Sequence, residues 1–466
     1  MNLNRRHLFA VAAILPLILS AGCSDHDPTG LPMGRGNTDP VVFADGYGDG
    51  VYFQAFSQTD IWSVSRDSVF AYGGQAQDGA RSLKVRVAPD GAALGTYSGG
   101  VLTTGAPRDL ADYNALTFYA RADQNVTMNE LGFGNDNTGT SLFSAGRANV
   151  ALNAGWKFVV VPVPNPAKLL SERGMFTFAE GREAQFPAGY NLWFDEIRFA
   201  KLGNITNPRP AMPSSNKQYF IGSVVNLSGT STVFDVDGAP VTVNHMPGYF
   251  DFRSSDPAVA RVTRRGVEVI GVGDATVTAL LGDVEVDGEV VVSGFQAPAG
   301  PAPTPTHPAN QVISLFSDAY NDVAVESWNP HWQYSTTQDE LFAVDGNSTR
   351  MYSTLNFVGI VFSDPMIDAS AMTHFHLDVY APVGTEFRVK FVTFSDTGLF
   401  RGQTELEFDA TTTPAFNSGG WSSLDIPLDD FAFQPPVADP WAHIGQLVLS
   451  TDSAQLVLVD NLYWRQ

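Results

Sequence analysis

From residue 41 onward the chain alternates apolar and polar positions over short runs and never sustains a helical period. SLKVRV (82–87), NALTFYARA (114–122), WKFVVVPV (156–163) and NLWFDEIRF (191–199) are strand-length, rich in β-branched and aromatic residues, and bounded by turn formers. The pattern predicts an all-β protein. It also repeats. A first stretch opens VVFADGY and closes LWFDEIRFA, and a later one opens ISLFSDAY and closes LVLVDNLYW. Between those ends HFHLDVYAP answers LTFYARA and WSSLDIPL answers WKFVVVPV, so one fold is expected twice, over 41–203 and 311–466.

The segment between them follows another rhythm. In FDFRSSDPAVARVTRRGVEVIGVGDATVTALLGD, Ser255-Asp256-Pro257 makes a turn and Val259 and Val262 head a strand. Gly271 and Gly273 permit the next turn, and Thr276 to Leu280 alternate as a further strand. This unit is expected over 207–294, with no constellation able to carry chemistry. QAPAGPAPTPTHPAN (296–310) reads as an extended, semi-rigid linker, within 295–310, that projects the last unit outward.

At 466 residues the chain is too long for one core. Its formal charge of -22 argues against nucleic acid, because phosphate neutralisation needs clustered Lys and Arg. The single cysteine, Cys23, excludes an intramolecular disulfide framework and a Cys-based zinc site. Residues 1–22 carry Arg5 and Arg6, an apolar run from Leu8 to Leu19, and small residues before Cys23, the layout of an export signal too short to span a bilayer. Residues 23–40 are polar and rich in Gly, Pro and Asp, a tether.

Three resemblances attach to these residues. Leu19-Ser20-Ala21-Gly22-Cys23 resembles a bacterial lipobox, with Ser20 where that family prefers Leu. The resemblance implies lipidation of Cys23, anchoring at the bacterial outer membrane and a surface-facing chain that meets the membrane through its lipid alone. The 207–294 unit resembles the group 2 bacterial immunoglobulin-like domain, which implies a rigid β-sandwich spacer. The two repeated units resemble carbohydrate-binding modules of the β-jelly-roll type found beside catalytic domains in laminarinases. That implies two jelly-roll sandwiches around the immunoglobulin-like one, a polysaccharide or oligosaccharide ligand with β-1,3-glucan as the first candidate, and glycan-degrading or importing proteins as partners.

The candidate chemistry concentrates in Ile313 to Tyr334, which crowds two tryptophans, two tyrosines and a histidine around a proline. Flat rings in a loop suit the apolar face of a sugar, with Asn, Asp and Gln to bond its hydroxyls; the competing reading is that a tryptophan plugs the end of a sandwich. Trp328 and Trp332 lead the ligand-contact candidates, then Tyr334, Tyr352 and Phe357, with Asn329 and Asn356 as hydrogen-bonding neighbours. Trp421 and Trp464 are expected in the core. Tyr47, Tyr52, Phe53, Phe56 and Trp62 form a second aromatic group in the first unit. Family-16 laminarinases carry Glu-x-Asp-x-x-Glu on one strand, and no such string occurs here, nor does a nucleophile elbow, a P-loop or a dense His cluster. The jelly-roll resemblance further implies a structural calcium held by Asp318 with Asp460, and by Asp45 with Asp195; the alternative is that these acids cap turns or bond amides. The reading is a non-catalytic, surface glycan-binding lipoprotein. A structural or adhesive surface protein and a glycoside hydrolase remain as alternatives.

Overall fold

The computed structural model describes residues 36–56, 70–72, 76–79, 81–93, 95–263 and 266–466. Cys23 and Trp62 lie outside them. The described chain is all-β, its helical turns being short 3-10 segments such as Pro166–Lys168 and Leu428–Asp430. Among the described residues no helix is long and apolar enough to cross a membrane.

The first unit contributes β1 Val41–Phe43, β2 Val51–Ala55, β3 Phe70–Tyr72, β4 Arg81–Val87, β5 Tyr97–Arg108 and β6 Ala115–Ala122. It continues with β7 Val126–Phe133, β8 Ala145–Leu152, β9 Lys157–Pro162, β10 Glu172–Gly181 and β11 Tyr190–Ala200. One sheet runs β3-β4-β11-β6-β9 with β1 added on β11, and the facing sheet contains β8-β7-β10-β5-β2. Between them lie rings such as Phe118, Phe176 and Phe194, packed edge to face at 5.2 to 6.2 Å between centroids.

The middle unit comprises β12 Ile205–Ala211, β13 Ser215–Phe220, β14 Val224–Val225, β15 Ser231–Val236, β16 Ala239–His245 and β17 Asp251–Ser254. After these come β18 Ala260–Thr263, β19 Gly266–Val269, β20 Gly273–Leu281, β21 Val284–Glu285 and β22 Val290–Phe295. A small sandwich of β13-β22-β20-β17 against β14-β19-β18 closes over Val225, Val259, Val267, Val277 and Val292. The boundary expected near 203–207 is bridged, however. β16 pairs with β8 through Asn244 opposite Gly146 and His245 opposite Ala145, so β12, β15 and β16 extend the first unit's sheet. Phe234, Val243 and Tyr249 accordingly belong to the first unit's core. The free edge of β8 offers unpaired amides and carbonyls, and the β15–β16 hairpin satisfies them.

The last unit holds β23 Val312–Phe316, β24 Gln338–Val344, β25 Asn347–Ser353, β26 Phe357–Val361 and β27 His374–Tyr380. Its remaining strands are β28 Glu386–Phe394, β29 Phe400–Asp409, β30 Trp421–Pro427, β31 Ile444–Ser450 and β32 Leu456–Arg465. The sheet orders are β24-β25-β32-β27-β30, with β23 on β32, and β26-β31-β28-β29. Strand for strand this is the first unit again: β4-β11-β6-β9 maps onto β25-β32-β27-β30, and β5-β10-β7-β8 onto β26-β31-β28-β29. The correspondence extends to a local irregularity. The residue after the last-strand aspartate takes a left-handed backbone in both units, Glu196 at φ 49 and Asn461 at φ 52, and donates its amide to that aspartate at 2.9 and 2.7 Å.

The proline-rich linker does not project the last unit outward but lies on it. Tyr380 Oη donates to the Gln296 carbonyl at 3.1 Å, Trp421 Nε1 to Gly300 at 2.9 Å, Asn461 Nδ2 to Pro303 at 3.1 Å and Tyr320 Oη to His307 at 3.0 Å. Beside it Phe220 of β13 is buried against Phe342, Met351, Tyr380 and Leu458 on the outer face of the large sheet. Middle and last units are thus joined by a packed interface.

Candidate functional site

The outer face of β26-β31-β28-β29 in the last unit carries a groove of about 570 Å³. Its floor follows from strand alternation. Across the four strands one row reads Gly359, Val448, Lys390, Glu405; the next toward one end reads Phe357, Ser450, Arg388, Glu407; and the next toward the other reads Val361, Gln446, Val392, Gln403. The inward-facing neighbours Val358, Ile360, Val389 and Phe391 fill the core, so the polar set faces solvent because its register requires it.

One position on this floor has no side chain, and a ring occupies the space. A Cβ built on Gly359 would lie 2.3 Å from the six-membered ring of Trp332, so the indole rests directly on the bare backbone of β26. Trp332 is held there by a loop that Asn356 ties down. Asn356 Oδ1 accepts the Thr336 amide at 2.9 Å, its Nδ2 donates to the Tyr334 carbonyl at 2.8 Å, and Ser335 Oγ donates to the Phe357 carbonyl at 2.8 Å. Phe394 and Phe400, paired across β28 and β29, stand at the other end, and Phe400 is 56% exposed. Between the aromatic ends Lys390 and Glu405 pair at 3.1 Å, and Arg388 is shared by Glu407 at 2.7 Å and Asp452 at 3.0 Å. The Glu407 hydrogen bond raises the Arg388 pKa, keeping that cation charged. Gln403 and Gln446 add neutral amides. Stacking surface plus a comb of donors and acceptors is the equipment for a hydroxyl-rich ligand.

Of the residues singled out from sequence, Trp332, Phe357 and Asn356 line this groove. Others do not. Trp328 is packed against the core and edge-on to Phe316 at 5.7 Å, with the Arg350 guanidinium over its face at 4.5 Å. Tyr352 is fully buried, and burial raises its pKa, so it is a core ring and not a ligand contact. Asn329 is buried too and donates to the Thr337 carbonyl at 2.9 Å, bracing the loop. Tyr334 is 81% exposed with φ 72 and stands apart from the groove lining. Trp464 is core as expected, while Trp421 is half-buried beneath the linker. Lys390, Glu405, Gln403, Gln446, Phe394 and Phe400 were not anticipated; in the sequence they are indistinguishable from any solvent-facing side of a strand.

In the first unit Phe53 is core, stacked at 6.3 Å on Phe178, and Tyr47 and Phe56 pack partly against the same core. Tyr52 is 38% exposed. A cleft of about 680 Å³ between the first and middle units is chiefly aliphatic and aromatic, lined by Leu142, Phe143, Leu170, Leu227 and Phe250, with the Lys168–Asp251 pair at its mouth.

The four aspartates differ between units. Asp195 is spent on amides: Oδ2 accepts Gln77 at 2.6 Å and Asp78 at 3.3 Å, and Oδ1 accepts Glu196. Asp45 Oδ1 accepts the Arg81 amide at 2.8 Å. Asp460 is fully buried and its Oδ2 has no hydrogen-bond partner. Burial, reinforced by Asp378, Asp318 and Asp322, pushes its pKa up to about 7. Asp318 Oδ2 accepts the Ser348 amide at 2.8 Å and Asn347 Nδ2 at 3.1 Å. Among the described residues no three His, Cys, Asp or Glu side chains gather closely enough to hold a metal by themselves.

No family model matches the chain, and no curated protein does. Solved structures similar to parts of it include the family 11 carbohydrate-binding module of the cellulosomal cellulase Lic26A-Cel5E of Clostridium thermocellum, at 13% identity and a TM-score of 0.23, covering 31% of this chain and 96% of that one. A family 30 carbohydrate-binding module is 15% identical with a TM-score of 0.27, covering 33% of this chain and 98% of that one. A β-1,2-glucanase from Parabacteroides distasonis is 14% identical with a TM-score of 0.25, covering 57% of this chain and 40% of that one.

Proposed function

We propose that this chain is a non-catalytic glycan-binding protein whose last unit takes a neutral polysaccharide, with β-1,3-glucan as the first candidate. The observation that carries the reading is the indole of Trp332 laid on the bare backbone of Gly359 beside a row of amides and ion pairs. The charged groups of the floor largely cancel, Lys390 and Arg388 facing Glu405, Glu407 and Asp452, so the groove offers polyuronates no net cationic attraction. A stacked ring contributes roughly 1 kcal/mol beyond its buried area, and one ring with several hydrogen bonds supports binding in the micromolar to millimolar range.

Lipidation at Cys23 would hold the chain at the outer membrane, where it would present captured glycan to degrading or importing proteins. A structural calcium belongs to the same proposal, in the last unit. The unpartnered Asp460 Oδ2 supports it, with Asp318 and backbone carbonyls of the 317–322 loop as further oxygen ligands. The ion would supply charge compensation and strand-end rigidity. In the first unit amides already occupy the Asp195 carboxylate, which favours the capping reading for Asp45 and Asp195. The test of the main reading is affinity electrophoresis of residues 24–466 in gels containing laminarin, xylan, mannan or alginate, beside Trp332→Ala. Retardation by a neutral glycan that the variant loses is expected; no retardation by any glycan would favour an adhesive role.

A further inference from the structure

The two copies of the fold present register-equivalent rows on the outer faces of their large sheets. In the last unit the row is Met351, Leu458, Tyr380 and Trp421, across β25, β32, β27 and β30. It is covered by Phe220, Phe295 and the linker, and two of its polar atoms, Tyr380 Oη and Trp421 Nε1, donate to linker carbonyls. In the first unit the equivalent row is Lys84, Trp193 and Arg121 across β4, β11 and β6, continued by Trp156 just before β9. Here Lys84 stands for Met351 and Arg121 for Tyr380, while Trp193 stands for Leu458 and Trp156 for Trp421, so the row gains two cations and still carries two aromatic rings.

These side chains are ordered against one another. Lys84 Nζ lies 5.5 Å from the Trp193 ring centroid, and the Arg121 guanidinium lies 5.0 Å from Trp193 and 5.7 Å from Trp156. Phe158, 50% exposed, extends the surface and contacts Tyr119 at 5.2 Å. Trp193 is 6% exposed, yet its Nε1 and the Nε of Arg121 have no hydrogen-bond partner, where the comparable donors of the last unit are satisfied by polypeptide carbonyls. Buried donors are normally paired, and Trp, Tyr and Arg are the side chains that dominate binding interfaces.

We infer that this face of the first unit is a protein-docking surface whose occupant is an extended, proline-containing acidic segment of a partner protein. The covered row in the last unit supplies the form of the occupant, an extended proline-rich strap read through its carbonyls and flat rings. Lys84 and Arg121 supply its charge. This inference does not depend on the glycan groove, which lies on the other sheet of the other unit.

The test is fluorescence anisotropy of a labelled Asp-Pro-Ala repeat peptide with residues 24–466, beside a Lys-Pro-Ala peptide. The acidic peptide is expected to bind, and Arg121→Glu to weaken it tenfold or more with its thermal midpoint and glycan retardation unchanged. Trp156→Ala, remote from the core, is a second variant expected to lower affinity. Equal binding of both peptides, no binding, or unchanged affinity in both variants would overturn the inference. So would glycan retardation lost on Trp156→Ala, which would make this face a sugar platform. Loss of retardation on Trp332→Ala alone bears on the groove and leaves the docking surface standing.

Discussion

Asp460→Asn separates two effects that the buried carboxylate combines. In the folded protein its pKa is pushed up to about 7, chiefly by burial, against about 3.9 for an unfolded aspartate. The folded state therefore keeps a proton that the unfolded state releases. The stabilising contribution is fully present below the unfolded value and is lost as pH rises through about 7. Three units at 1.36 kcal/mol each set a ceiling of about 4 kcal/mol. Asp318 and Asp322 lie exposed at the strand ends, where water screens their share, so about 2 kcal/mol is the working figure. For a unit of this size that corresponds to roughly 4 to 8 °C in thermal midpoint. In chelator, the midpoint of the last unit should fall by that amount between pH 4.5 and 7.5 (roughly the span between the two pKa values), relative to the variant. Glu172, pushed up to about 7 by its own burial in the first unit, contributes a slope of the same sign to both proteins and cancels in the difference. Adding calcium at the upper pH should restore the wild type and leave Asp460→Asn unmoved. Parallel curves for the two proteins across the range would refute the assigned burial cost, and an equal calcium response in both would remove the ion from this site.

Trp332→Ala should weaken neutral-glycan binding by about 2 kcal/mol, some thirtyfold, from one buried ring face plus stacking, read by isothermal titration with unchanged thermal midpoint. Gly359→Ala should lose a comparable amount, because its Cβ would lie 2.3 Å from the indole and lift the platform off the strand; intrinsic fluorescence would report the moved tryptophan. Trp328→Ala should instead act on folding, lowering stability by about 3 kcal/mol in denaturant titration with the remaining folded fraction still binding. Phe220→Ala removes a ring 1% exposed at the interface between the middle and last units and should free their relative motion, seen as a broadened distance distribution in small-angle scattering without loss of glycan binding.

The all-β class and the duplication were legible because a period-two pattern is local: SLKVRV and LVLVDNLYW announce their strands wherever they pack. The mirrored aspartates of the last strands were legible for the same reason. What escaped was decided at a distance. The hairpin 231–245 carries nothing in its sequence that says its edge partner is β8. The linker's proline content predicted its extended form, yet its position is fixed by Tyr380, Trp421 and Asn461, which come from three strands far along the chain. Two tryptophans four residues apart likewise look alike in the sequence. Only the fold brings Arg350 and the core to Trp328, and a bare glycine to Trp332.

Among the described residues the two copies of the fold differ in which faces are covered, and this bears on the two proposed roles. In the last unit the large sheet is closed by the middle unit and the linker, so the four-stranded sheet is the surface left for a ligand. In the first unit the corresponding sheet continues into β16, β15 and β12, and the row Val101, Thr177, Gly132 and Gly146 across it carries no charged side chain and meets amides only at its two ends, Gln54 on β2 and Asn244 on β16. Val101 and Thr177 are themselves buried. Its large sheet instead holds Lys84, Trp193 and Arg121 in an ordered cationic and aromatic stack. A duplication kept for avidity toward one polymer would be expected to preserve the same groove in both copies. Two copies that close different faces fit a chain that binds glycan at one end and a protein at the other, so deleting the first unit's cationic row should leave glycan affinity unchanged while abolishing recruitment.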